Sequence, residues 1–395
     1  MEFMYSFKYI LLIVSLLNTG VSCAQKKRIP VMASHTILAG HNTYENYRNI
    51  EDAGFTLAKE WYPSVSIAID HLKMASRTNV KLIIWCPELF KDVDNTIKQL
   101  TEYDSFGGYD LSDEPSTKAF DSLGTLIRNI KKKDKSHYIW QNLYPIHASL
   151  EYMNANSYED YVDEYIKIVD PPFVSFDFYG ITKSGVHPEY YHNLELISKK
   201  CKNTHKPFWA YVLASQFKDY AEPTKGTLSF QVYNNLAYGA QGIEYFSYRQ
   251  IVQQDLHITV SPVDTNYQKM PIYYEVRKLN SEIKYYSSYF YGNNVKEVTH
   301  LSNEIPIGTN ATRHLPYGIK VRSYSGDGFV VSYFTCRKSE YLLFVNKDYK
   351  QPQSIEIESP HTLRRISYYS SERKRGKGVI HFDTQPGSIV LLKIK

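Results

Sequence analysis

Eight short apolar runs, each followed by a segment whose apolar residues recur at helical spacing, occupy the chain from Arg28 to Phe290. The runs read RIPVMAS, FTLAKEW, VKLIIWC, FGGYDLSDEP, HYIWQNLYP, FVSFDFYG, PFWAYVLAS and GIEYFSY. VKLIIWC is apolar almost throughout, the pattern of a strand covered on both faces. Among the helical segments, AFDSLGTLIRNIKKKD ends in lysines, which suit the negative end of a helix dipole. Eight strand–helix units over about 260 residues match the span of a (β/α)8 barrel. A doubly wound sheet is the rival, but it needs a glycine-rich phosphate loop after an early strand, and none is present. The sequence therefore predicts an α/β protein whose residues 24–294 form a TIM barrel.

From about Val295 the pattern changes to short alternating runs separated by Gly, Asp and Pro: YGIKVRSYS, GFVVSYFT, EYLLFVNK, QSIEIES, LRRISYYS, GVIHFDT and SIVLLKIK. Such spacing predicts a small C-terminal antiparallel β-sandwich over residues 295–395. At the other end, a basic region around Lys8 precedes an apolar run from Tyr9 to Leu17 and small residues before Cys23. That run is too short to span a bilayer and reads as a secretory signal over residues 1–23. GVSC has the form of a lipoprotein signal, with Cys23 as the lipidated first residue. Gly20 stands where an aliphatic residue is usual, so cleavage without a lipid is the alternative. The expected location is the periplasm or the outer membrane and cell surface, with the membrane touched only through that anchor.

Cys86, Cys201 and Cys336 are far apart, and the thirteen histidines lack paired metal-ligand spacing, so no metal, cofactor or disulfide framework is expected. The basic cluster ERKRGKG carries no interleaved aromatics and reads as a solvated loop rather than a nucleic-acid site. The 36 tyrosines offer flat apolar faces with polar tips, suited to sugar rings and hydroxyls or simply to a half-buried shell.

Barrel ligands bind where strands end and loops enter helices. The strand-end residues are Glu60 and Trp61, Glu88, Asp113 and Glu114, Gln141, Asn142 and Tyr144, Asp177 and Tyr179, then Trp209, Tyr211 and Gln216, and finally Tyr248 in YFSYR. Carboxylates, amides and aromatics on one rim suit a carbohydrate substrate, and glycosidic cleavage commonly uses two carboxyl groups. Asp113 beside Glu114 could raise its neighbour's pKa, but alternation along an extended strand predicts that only one of them faces the pocket.

GGYDLSDEP resembles the fourth-strand motif of retaining (β/α)8 glycoside hydrolases, whose acid/base glutamate is followed by Pro or another turn residue. YDLSDEPS, NLYP, PPFVSFDFYG, LAYGAQGIEYFSY and PGSIVLLKI are similar to glycoside hydrolases exported by Bacteroidetes-type bacteria. The resemblance implies an exported glycosidase with Glu114 as general acid/base; Asp113 stands where many members carry Asn. Those enzymes hold their nucleophile at the end of the seventh strand, where this chain offers only Ser215 and Gln216. Asp177 is the expected second catalytic carboxyl, ahead of Glu60. Glu244 is placed near the start of the eighth strand, away from the rim, and Glu222 beside Pro223 in a surface turn. Glu60, Asp113, Asn142, Tyr179, Trp209 and Tyr248 are the expected substrate contacts. The alternative reading is a non-catalytic glycan-binding surface lipoprotein on a degenerate glycosidase barrel.

Overall fold

The structure, a computed structural model, describes residues 28–370 and 375–395. The segment expected to be a secretory signal, with Cys23, lies outside the described residues. Eight parallel strands close into a barrel in chain order: β1 (Val31–Ser34), β2 (Leu57–Trp61), β3 (Lys81–Trp85), β4 (Phe106–Asp113), β5 (Tyr138–Leu143), β6 (Val174–Phe176), β7 (Phe208–Leu213) and β8 (Gly242–Phe246). Each falls within one of the eight apolar runs. The main helix after each strand is α1 (Tyr44–Asp52), α2 (Val65–Ala75), α3 (Val93–Leu100), α4 (Phe120–Lys133), α5 (Tyr158–Glu164), α6 (Tyr190–Asn203), α7 (Lys225–Ala237) and α8 (Pro271–Phe290) in turn. Several begin at hydroxyl caps: the Ser64, Ser157 and Thr224 side chains accept from the backbone amides of Ile67, Asp160 and Thr227. Pro at the first position of α8 lacks the amide hydrogen that would be unpaired there.

The barrel's lower interior is closed by aromatics. Trp209 stacks on Phe173 at 4.4 Å between ring centroids and meets the edge of Tyr138 at 5.0 Å. Space for the indole exists because Gly242 opposite has no side chain; a Cβ there would lie 2.2 Å from the ring. Trp209 is 3% exposed. This corrects its expected role as a sugar contact: it is the second residue of β7, at the end of the barrel opposite the loops that enter the helices.

The C-terminal domain is one seven-stranded antiparallel sheet that curls on itself: β9 (Asn294–Leu301), β10 (Lys320–Tyr324), β11 (Phe329–Cys336), β12 (Ser339–Asn346), β13 (Gln353–Ile366), β14 (Arg375–Thr384) and β15 (Ile389–Ile394). The order is β9-β11-β12-β15-β13-β10, with β14 also paired to β13. QSIEIES and LRRISYYS, expected as separate strands, are halves of β13. Its first half pairs with β10 and β14 and its last residues with β15, across an irregular register between Ser359 and Leu363. Pro360, unable to donate to a ladder, sits in that bend. The curl encloses Phe329, Val331, Leu342, Phe344, Ile355 and Leu392, while alternate residues Val330, Leu343, Val345 and Leu391 join the barrel's core.

That second contact explains α7. Its residues from Gly226 to Ala237 are all buried, because β7 lies on one side and the C-terminal sheet on the other. Two of its polar members tie it to β7: Gln231 Oε1 accepts from the Leu213 amide at 2.9 Å, and Asn235 donates to the Tyr211 carbonyl at 3.2 Å. Across the interface Ser332 donates to the Ala237 carbonyl at 2.8 Å, and Phe334 packs 5.6 Å from Phe290.

Candidate active site

Two irregularities in β4 build the site. Gly108 lies against the β5 backbone so closely that a Cβ would stand 2.1 Å from the Tyr138 carbonyl oxygen, so the glycine pair sets how β4 enters the barrel. Farther along, Asp110 pairs with Trp140 but Ser112 with Gln141, leaving Leu111 as an extra residue. The bulge puts Asp113 on the same side as Asp110 despite their odd spacing. Glu114 then adopts φ +47°, and its amide donates to the Asn142 carbonyl at 2.8 Å. Alternation is thus broken twice, which corrects the expectation that only one of the adjacent carboxylates faces the pocket.

Asn142, at the end of β5, joins the group. Its Nδ2 donates to Asp113 Oδ1 at 3.1 Å and to Asp177 Oδ1 at 2.9 Å. The two aspartate oxygens can therefore be no farther apart than those bonds combined. Ser175 of β6 and Asp177, the residue after that strand, share a side by ordinary alternation. Burial raises Glu114 to about 8, with the Asp177 and Asp113 charges adding to the shift. Burial and Asp113 raise Asp177 to about 7, against the Asn142 and Tyr179 hydrogen bonds that favour its ionised form. At neutral pH this cluster holds protons that ordinary carboxyls would have lost.

Below the rim lies a buried polar layer. Lys59 Nζ pairs with Asp110 Oδ2 at 3.2 Å and sits 4.0 Å over the Trp140 ring. Asp110 also accepts from Trp61 Nε1 at 2.8 Å. Glu244, fully buried, accepts from Trp140 Nε1 at 2.9 Å, and Ser175 Oγ stands 2.9 Å from its other oxygen. The same Ser175 Oγ is 3.1 Å from Asn142 Oδ1. Glu244 is the middle residue of β8 and points among these groups, so it is closer to the carboxylate cluster than its position in the strand suggests.

Aromatic rings line the other side of the mouth in a connected arc. Phe90, Trp85 and Trp61 follow one another at 6.2 and 6.3 Å, and His35 lies 5.9 Å from Trp61 and 5.1 Å from Phe246. Phe246 in turn stacks on Tyr179 at 5.5 Å. Trp61 is 49% and Phe90 45% exposed, open faces at the C-terminal ends of β2 and β3. His35 is pushed down to about 3 by burial and by the Lys59 and Arg249 charges, so it is neutral in this arc.

Of the expected site residues, Glu114, Asp113, Asp177, Asn142 and Tyr179 meet at one place. Glu60 does not: because Lys59 faces the barrel interior, its neighbour faces behind the strand, where Glu60 approaches Arg249 at 3.8 Å and accepts from the Trp61 amide at 3.1 Å. Tyr248 is 1% exposed and packs in the wall against Phe55 at 5.9 Å, so it is no substrate contact either. Glu222 lies exposed in the loop before α7. Lys59, Asp110 and Ser175 were missed. The even spacing from Ser175 to Asp177 was a usable signal, whereas Asp110 and Asp113 are connected only through the bulge.

The family model described as Beta-galactosidase, of glycoside hydrolase family 42, matches residues 116–286. This segment begins just past Glu114 and includes Asp177 and Glu244. No curated protein matches the chain. Among solved structures it is similar to a beta-galactosidase from Bacillus circulans sp. alkalophilus, at TM-score 0.56 and 9% identity over 93% of this chain and 99% of that one. It is also similar to a family 39 glycoside hydrolase from the gut symbiont Bacteroides cellulosilyticus, at TM-score 0.54 and 9% identity over 93% and 81% of the two chains. An alpha-amylase from H. orenii aligns at TM-score 0.53 and 9% identity over 94% and 100%. At such identities the likeness is one of fold: a (β/α)8 barrel carrying a C-terminal β domain.

Proposed function

We propose that the protein is a glycoside hydrolase in which Glu114 is the general acid/base and Asp177 the second catalytic carboxyl. The observation that carries the reading is the Asp113–Glu114–Asp177 cluster gathered by Asn142 at the barrel mouth, opposite an arc of aromatic rings. The match of residues 116–286 to a glycosidase family supports it. Protonated Glu114 donates to the departing glycosidic oxygen. Ionised Asp177 serves the anomeric carbon, as nucleophile or as base to water. The incoming water's oxygen ends on that carbon. With Asp177 as nucleophile, the water's proton goes to the Glu114 carboxylate and restores it; with Asp177 as base, the proton goes to Asp177, and exchange with solvent returns one to Glu114. The aromatic arc supplies apolar ring faces for the sugar. Export, with lipidation at Cys23, belongs to the same proposal; a Cys23→Ala chain would then appear in the soluble fraction rather than with membranes.

The end of β7 favours a second reading. It presents Leu213, Ala214 and Ser215, with no carboxylate there, as in a barrel kept for glycan binding alone. Incubating wild type and Glu114→Gln with a broad panel of plant and host glycans separates the two. Sugar release by wild type that is lost in the variant supports hydrolysis through Glu114. Equal release by both moves the acid elsewhere. Binding by both without release selects the glycan-binding protein.

A further inference from the structure

Counting hydrogens in the layer beneath the rim gives a result that the carboxylate cluster alone does not. Asn142 Nδ2 lies against two aspartate oxygens, and with at least one of these carboxyls ionised only a donor fits there, so the amide's oxygen is the atom that faces Ser175. Ser175 Oγ therefore has two oxygens as neighbours, Asn142 Oδ1 at 3.1 Å and Glu244 Oε1 at 2.9 Å, and a hydroxyl has one hydrogen to give. An ionised Glu244 would leave one of these contacts as oxygen facing oxygen. A protonated Glu244 satisfies both: its hydroxyl donates to Ser175, and Ser175 donates to Asn142. Its other oxygen accepts from Trp140 Nε1 in either state.

The charge balance agrees. Glu244 is 0% exposed, and an unpaired carboxylate there would carry a large desolvation penalty. Lys59 is the cation facing it from β2, and Lys59 is already bonded to Asp110 of β4. From β7 the Tyr211 hydroxyl faces it, Trp140 and Ser175 do so from β5 and β6, and the charges of Asp113 and Asp177 lie beyond Asn142. We infer that Glu244 is held protonated at the head of a one-way hydrogen-bond chain, Glu244 to Ser175 to Asn142, that orients the Asn142 amide toward Asp113 and Asp177. Glu244 is thus a positioning residue, acting on the site through two intermediates. Burial, raising its carboxyl to about 8 against the opposing Trp140, Ser175, Lys59 and Tyr211 interactions, is consistent with this. The consequence for catalysis rests on the hydrolase reading; the protonation does not.

The test uses the full chain with Glu244→Gln and Glu244→Leu. Glutamine has the shape and donor pattern of a protonated glutamate, so it reproduces the chain; leucine removes it. A proton bound more tightly in the folded state stabilises fully below the ordinary value of 4.5, and this contribution is lost as pH rises through about 8. Glu244→Gln is therefore expected to melt no lower than wild type at pH 7, with an advantage that grows up to about pH 8. The infrared difference between the two should show a protonated carboxyl in wild type only. A Gln variant that melts lower at pH 7, with no widening gap and no protonated-carboxyl band lost, overturns the inference. On a substrate identified by the glycan panel, Glu244→Leu should lower kcat with KM little changed, and Glu244→Gln should restore most of it. Equal loss in both variants overturns the positioning role. If wild type cleaves nothing, the hydrolase reading fails, yet melting and infrared still decide the protonation.

Discussion

The two ends of the barrel use similar residues for opposite purposes. At the closed end Trp209, Phe173 and Tyr138 pack on one another, with Gly242 cleared to admit the indole. At the open end Trp61 and Phe90 keep exposed faces on either side of half-buried Trp85, and the carboxyls of Asp113, Glu114 and Asp177 gather opposite them. An aromatic side chain thus carries no functional meaning by itself. Its position along the strand decides whether it packs inside the barrel or keeps an open face.

This contrast can be broken by substitution. The largest effect belongs to the open end: Glu114→Gln or Asp177→Asn should lower kcat/KM by about 10²–10⁴-fold, measured on whichever glycoside the wild type cleaves. Both variants should melt at or above the wild-type temperature at pH 8. The stabilising protonation of these two groups is present at acid pH and lost as pH rises through about 8 and about 7. A residue whose removal abolishes activity while sparing or raising stability behaves as a site residue rather than a structural one.

The closed end should respond in the reverse sense. Trp209→Ala should destabilise by about 3–5 kcal/mol in denaturant unfolding, as expected for a large buried ring, while leaving KM of the remaining folded enzyme unchanged. Gly242→Ala tests the same plug from the other side and should cost about 1–3 kcal/mol through overpacking. Phe90→Ala, at the open end, should change stability by no more than about 0.5 kcal/mol. It should raise KM roughly two- to tenfold if its ring stacks on sugar.

The smallest effect sharpens the electrostatics. The proposed mechanism requires Glu114 protonated and Asp177 ionised, so the pH profile of activity should rise through about 7 and fall through about 8. Asp113 raises both groups. Asp113→Asn should therefore move both limbs to lower pH, by on the order of one unit. A profile that stays in place would show that Asp113 is electrostatically remote from the pair.

The fold was legible because its signals are periodic. Eight apolar runs separated by amphipathic helices have few other ways to bury their faces, and each strand lies within its run. The curled sheet was read less well, since β13 passes through Pro360 without ending and the strand at Asn294–Leu301 resembles loop in its first half. In the carboxylate cluster, Asn142 could be placed because it lies near the end of the regular strand β5, and Asp177 because it follows β6 directly. Glu60 was misplaced by one residue of alternation, with Lys59 taking the inward position. Trp209 and Tyr248 were assigned by residue type where strand end and strand face were the deciding facts. The bulge at Leu111 hid the relation of Asp110 to Asp113, and no local pattern announces a bulge. Glu244 was set aside by its place in β8, although the barrel interior brings it within two hydrogen bonds of Asn142.

The central claim is that Glu114 donates a proton to the leaving oxygen. Its most direct test compares wild type with Glu114→Gln on two aryl glycosides of the same sugar, one with a phenol leaving group and one with a dinitrophenol. A strongly acidic leaving group departs without protonation. The account predicts a large loss of kcat/KM on the phenyl glycoside and a much smaller one on the dinitrophenyl glycoside. Equal losses on both, or none on either, would contradict it.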